Sequence, residues 1–130
     1  MKKILILVSV LLLLQNSVFA IGTKSTMKKI MNSWNGENIN TVIDHWGYPT
    51  EEKVILGRKL YYWTDSHISV SGNQYGVYGG ETYCVRILEV DKNNNVIKWE
   101  WKGNNCPATY CTSRKWVNPQ NNPWRPNKNL

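Results

Sequence analysis

Histidine occurs only twice in the 130 residues, at His45 and His67, and cysteine three times, at Cys84, Cys106 and Cys111. The side chains that most often carry acid–base, nucleophilic and metal chemistry are therefore scarce. No glycine-rich phosphate loop, zinc-ligand spacing or Gly-x-Ser-x-Gly elbow occurs. Asp44 and His45 are adjacent on a helical segment and point about 100° apart, so they are no base–orienter pair. A dyad of His67 with Cys111 has nothing in the sequence to bring its members together. These absences exclude any recognisable enzyme, and no catalytic residue, cofactor or metal ligand is assigned.

Phenylalanine occurs once, against seven Trp and seven Tyr. Trp and Tyr bury a large apolar body and keep a polar handle, which suits a small domain with a thin core. A clustered basic surface is also lacking. Without Lys2 and Lys3 the chain from Ile21 carries 14 basic and 9 acidic residues, a net charge of +5, but the basic ones are scattered singly. That favours anionic partners at long range without the patch of a nucleic-acid reader, and no nucleic acid is expected.

The longest apolar run, Ile4 to Leu14, follows Lys2 and Lys3 and precedes Val18-Phe19-Ala20. It falls short of the roughly 20 residues that cross a bilayer, and it has the charged start and small-residue end of a secretory signal. Residues 1–20 are read as that signal, with no transmembrane anchor after cleavage. No cysteine lies near the cleavage point, so lipid attachment there is not expected.

The remainder has room for one domain, read as 21–116 with a Pro/Asn-rich tail at 117–130 that is extended or disordered, Trp116 and Trp124 either tucking back against the body or offering themselves to a partner. Met27, Ile30, Met31 and Trp34 recur at helical spacing, with Ser25 or Thr26 as cap and Gly36 as stop. Ile39, Val42, Ile43 and Trp46 repeat the spacing, capped by Asn38 and ended by Gly47 and Pro49. After Pro49 the period becomes 2. Lys53–Leu56 and Lys59–Trp63 read as a hairpin with a type II′ turn at Gly57-Arg58. Asp65 to Gly80 is rich in Ser and Gly and reads as a mobile loop or a frayed hairpin extension. Thr82–Val90 and Val96–Lys102 form a second hairpin around Asp91–Asn95, with Ile97, Trp99 and Trp101 toward the core; the inward face of the outgoing strand stays open. The expected fold is α+β, two short N-terminal helices packed on a 3–4-stranded antiparallel sheet (ααβββ).

An exported chain meets an oxidising compartment, so a disulfide is the default for its cysteines. Cys84 with Cys106 is favoured because Gly103-Asn104-Asn105 can turn the chain back beside Cys84; Cys84 with Cys111 is the alternative. Either choice leaves one thiol over, and an oligomer through Cys111 is possible.

Trp34-Asn35-Gly36, Val42 to Thr50, Leu60-Tyr61-Tyr62-Trp63 and Leu88 to Val96, in that order, resemble the SmpA/OmlA family of small outer-membrane-assembly lipoproteins and the related β-lactamase-inhibitor-like modules. Gly36, Val42, Gly47 and Pro49 match that family's helix–turn run position by position. The lipid-bearing cysteine of the assembly lipoproteins is absent. The resemblance implies a non-catalytic, exported protein-binding module of the bacterial cell envelope, periplasmic or secreted, whose partner is another envelope or exported protein. The aromatics Tyr61, Trp63, Tyr75, Tyr78 and Trp99 are its candidate interface. A secreted inhibitor or immunity-type protein, plugging an exported enzyme with the loop Ser69–Gly80, is the second expectation.

Overall fold

The computed structural model describes residues 22–107 and 114–125. The expected signal at 1–20, Cys111 and the last five residues of the tail lie outside the described residues. Within them the fold is α+β: helices α1 (Gly22–Asn32) and α2 (Ile39–Trp46) precede strands β1 (Glu51–Ile55), β2 (Arg58–Asn73), β3 (Gly76–Val90) and β4 (Val96–Gly103). The four strands form one antiparallel sheet in chain order.

Helix α1 begins at Gly22, before the expected caps Ser25 and Thr26. Its stripe is as the spacing predicts: Met27, Ile30, Met31 and Trp34 are all buried. Asn38 caps α2 by accepting the Asn40 N–H at 3.0 Å. Gly47 closes α2 with φ 85° and ψ 179°, and its N–H donates to Ile43 O. The positive φ needs glycine, while the extended ψ sends the chain straight on rather than back over the helix. The connection between the helices is anchored on the start of β4: Gly36 N–H donates to Val96 O, and Val96 N–H to Glu37 O, both at 2.8 Å.

The first hairpin turns at Leu56-Gly57, with φ 52° and 78°, and Ile55 pairs with Arg58. Two positive φ values make it type I′, displacing the expected type II′ turn by one residue; an I′ turn matches the twist of its flanking strands. Asp91 organises the second turn, its carboxylate accepting the N–H groups of Asn93 and Asn95. Cys84 and Cys106 form the favoured disulfide, with Cα atoms 5.2 Å apart. The close return that permits it falls on Gly103, where a Cβ would lie 2.2 Å from Tyr83 O.

One face of the sheet carries Tyr61, Trp63, Cys84, Arg86, Leu88 and Val90. The buried cluster joins these apolar residues to the helix stripes, Val96, Cys106, Trp116 and Val117. In β4 the alternation slips: Glu89 pairs with Lys98 but Val90 with Val96, so Ile97 is an extra residue. Val96 and Trp99 thereby both turn inward, and Ile97, expected in the core, is exposed.

The tail is the larger correction. Val117 and Asn118 are buried, and Asn118 bonds Ser33 twice, N–H to Oγ and Nδ2 to the carbonyl, each at 3.0 Å. The indole N–H groups of Trp34 and Trp46 both donate to Trp116 O, at 2.7 and 2.8 Å. Pro119 and Pro123 interrupt regular structure among the described tail residues, and these isolated anchors hold the segment instead. The packed body therefore runs past residue 116.

Candidate protein interface

Asp65 to Gly80 is the hairpin extension of the two expectations, but with an unbroken ladder rather than a frayed one. Strands β2 and β3 stay in register from Lys59↔Val90 out to Asn73↔Gly76, with no bulge between them. The neighbouring strands stop much earlier, β1 at Glu51↔Tyr62 and β4 at Gly103↔Cys84. Beyond those points β2 and β3 continue as a two-stranded arm tipped by Gln74-Tyr75.

The pleat sorts the arm into two faces. Ile68, Val70 and Val77 lie on one, with Ser66 and Tyr83 at its root and the exposed Glu81 directly opposite Ile68; His67, Ser69, Ser71, Tyr78 and Thr82 lie on the other. Ile68 and Val70 are each 70% exposed and Val77 77%. Nothing among the described residues covers them. The same side of the sheet continues over the body through Tyr62, Leu60 and Ile55. There Ile55, Leu60 and Ile87 line an open groove of about 210 Å³, rimmed by Lys98, Glu100 and the Arg58–Glu89 ion pair, Nε to Oε1 at 2.6 Å. The groove and the arm's aliphatic residues are two apolar patches on one side of the sheet, separated by Thr64, Ser66 and the Tyr62 ring, over which Lys53 Nζ lies at 5.0 Å; exposed apolar surface with polar neighbours is the composition of a docking surface.

The arm is rooted by a cation. Arg86 lies between the rings of Trp46 and Trp116, its guanidinium carbon 4.3 and 3.9 Å from their centroids, and Nη2 donates to Asp65 at 2.8 Å. Its Nε and Nη1 are buried without a hydrogen-bond partner. Burial pushes the Arg86 pKa below the ordinary arginine value, and the Asp65 carboxylate opposes that push. Because Asp65 is the first arm residue past Thr64, this pair ties the arm's direction to the body.

Of the five candidate interface aromatics, Tyr75 and Tyr78 are exposed on the arm. Tyr61 and Trp63 are not surface residues: they occupy the core side of β2, and the Trp63 indole donates to Gly47 O at 3.0 Å. Trp99 is half-buried against the core and donates to Asn32 Oδ1 at 2.9 Å. The reason is the pleat, which turns the odd-numbered aromatics of β2 into the buried cluster and leaves Leu60 and Tyr62 on the opposite face. Reading aromatics alone missed Ile55, Ile68, Val70 and Val77. The spacing Ile68-x-Val70 was the available signal, diluted by the surrounding Ser and Gly.

His67 stands on the arm's polar face opposite Thr82, and His45 lies 5.5 Å from the Trp34 ring. No group of three or more potential metal ligands occurs among the described residues. No helix among them is long and apolar enough to cross a membrane. Comparison with protein-family models, with curated proteins and with solved structures finds no match to this chain.

Proposed function

We propose that this is a non-catalytic, exported protein-binding module of the bacterial cell envelope. It would resemble SmpA/OmlA-type assembly components in carrying two short helices as a layer on its sheet, and would act in the periplasm or outside the cell after loss of residues 1–20. The observation that carries the reading is the pair of uncovered apolar patches on one side of the sheet, the groove at Ile55, Leu60 and Ile87 and, on the arm, Ile68, Val70 and Val77. A partner that laid an apolar strand or helix face along both would remove those side chains from water, at roughly 25 cal/mol per Å² of apolar area. Lys98, Arg58, Glu89 and Glu100 at the rim would set its orientation.

A photo-crosslinking residue in place of Val77 or Ile55, in cells exporting the protein, tests this. The expected result is one recurrent envelope or exported protein joined at both positions and not from Lys28 on α1. Adducts equally frequent from Lys28, or none from the sheet positions, would remove the reading. The inhibitor alternative is favoured by one feature, Tyr75, 81% exposed at the tip of a projecting hairpin. If the captured partner is an enzyme whose turnover falls on binding and returns with Tyr75→Ala, the inhibitor reading replaces the assembly reading.

A further inference from the structure

We propose that the free edge of β2 in the arm pairs with the same edge of a second copy, giving a two-fold antiparallel dimer centred on Val70. This goes beyond the binding reading, because it uses the arm's edge and not its apolar face.

Backbone groups alternate in direction along a strand. Thr50 marks the phase on β2: its N–H donates to Tyr62 O at 2.7 Å, and its Oγ1 accepts the Thr64 N–H at 3.0 Å. The even-numbered residues therefore turn N–H and C=O to the β1 side. Past Thr64 none of the described residues pairs on that side, so Ser66, Ile68, Val70 and Gly72 present an open ladder. The opposite edge differs. Asn104 Oδ1 accepts the Tyr83 N–H, Asn104 Nδ2 donates to Glu81 O, and Asn105 N–H donates to Tyr83 O. Two asparagines thus block the β3 edge as far as Glu81, while none of the described residues blocks β2.

Edge strands are ordinarily protected by Lys, Pro or a bulge. Residues 66–80 contain no Lys, Arg, Asp, Glu or Pro, in a chain of formal net charge +7, and the ladder there has no register shift. Two such arms approach without the repulsion that opposes any other contact between copies of a basic chain.

The register follows from what the edge leaves free. It runs from Ser66 to Gln74, whose midpoint is Val70. A centre nearer the body would drive the partner's tip against Thr50, and one nearer the tip would waste ladder positions. Centred on Val70, Ile68 faces Gly72 of the second copy and Val70 faces its equivalent, on one face; Ser69 faces Ser71 and His67 faces Asn73 on the other. Large meets small and polar meets polar, the self-complementarity that an isologous interface requires. A second copy is thus the occupant this edge fits.

Analytical ultracentrifugation of the exported protein carrying Cys111→Ser, which removes any Cys111-linked pair, reads the outcome. A concentration-dependent monomer–dimer equilibrium is expected. Val70→Lys sets like charges face to face and should weaken the dimer at least about tenfold; Val77→Lys, on the other strand, should change it less than about twofold. Both positions are highly exposed, so neither variant threatens folding, and an unchanged circular dichroism spectrum verifies this. Val70→Cys should link two chains covalently on mild oxidation. A monomer at every concentration, open-ended oligomers, indifference to Val70→Lys, or equal sensitivity to Val77→Lys would each overturn the proposal.

Discussion

Strands β2 and β3 run unbroken through two environments, and the two halves have little in common beyond their ladder. In the body, Tyr61, Trp63, Cys84 and Leu88 are buried in one cluster with Met27, Ile30, Trp34 and Val42. In the arm, every residue from Ser66 to Glu81 is exposed. Backbone pairing is the same in both, so pairing alone does not account for the stability of the body. An exposed ladder bond replaces bonds to water and contributes little net free energy. What the body has in addition is burial, at about 1.5–3 kcal/mol for each large apolar side chain.

The comparison is broken most severely where burial is greatest. Trp34 is fully buried, stacks edge-on with Trp46 at 5.4 Å, and holds Trp116 O with its indole. Trp34→Ala should cost about 4 kcal/mol, read as a fall in the urea midpoint without loss of slope. Replacing Cys84 and Cys106 together by serine opens a link across 22 positions and should cost about 3 kcal/mol. Both losses belong to the body; a comparable loss from any single arm substitution would abolish the distinction.

A smaller effect sharpens the boundary. Asp65→Asn leaves the Arg86 guanidinium buried with no charge partner. Because the Asp65 side chain is itself 58% exposed, the cost should be about 1 kcal/mol rather than that of a fully buried pair. Adding Arg86→Met keeps an unbranched side chain between Trp46 and Trp116 and removes the buried charge, so the double variant should regain most of the loss. Urea titration of the two singles and the double measures the coupling. An additive result would mean that the pair does not fix the arm's root.

The two regions also differ in how far they could be read in advance. The helices were legible because burial imposes a period, and Asn38 and Gly47 punctuate it. The disulfide was legible because Gly103 to Asn105 brings Cys106 back beside Cys84. The arm was not, because Ser, Gly and Asn signal turns and nothing buried imposes a period of 2 on them. The inward face of β3 was not either, since Cys84, Arg86 and Leu88 alternate with the equally apolar Val85 and Ile87. The docking of Trp116 was open to reading only from its apolar bulk and that of Asn118 left no trace, because both rest on contacts with Ser33 and Trp34, more than 80 positions away, and with Trp46, 70 positions away. Of the exposed arm residues, Tyr75 and Tyr78 stood out for their chemistry, and the aliphatic residues beside them were hidden by their dilution.

The smallest expected effect is also the most decisive. Residues 68–81 can be replaced by Asn-Gly, which joins His67 to Thr82 across a two-residue turn at a register the ladder already has, His67↔Thr82, a pair whose backbone groups face each other. Asp65 stays beside Arg86, and Asn104 Oδ1 keeps the Tyr83 N–H. The excision removes only ladder bonds and exposed side chains, and shortening the loop between the strands slightly favours folding. Unfolding free energy should therefore stay within about 1 kcal/mol of the parent, while cross-linking from Ile55 weakens and dimerisation is lost. If the shortened chain instead melts several kcal/mol earlier, the arm helps hold the body together, and its exposed apolar residues need an explanation in stability rather than in binding.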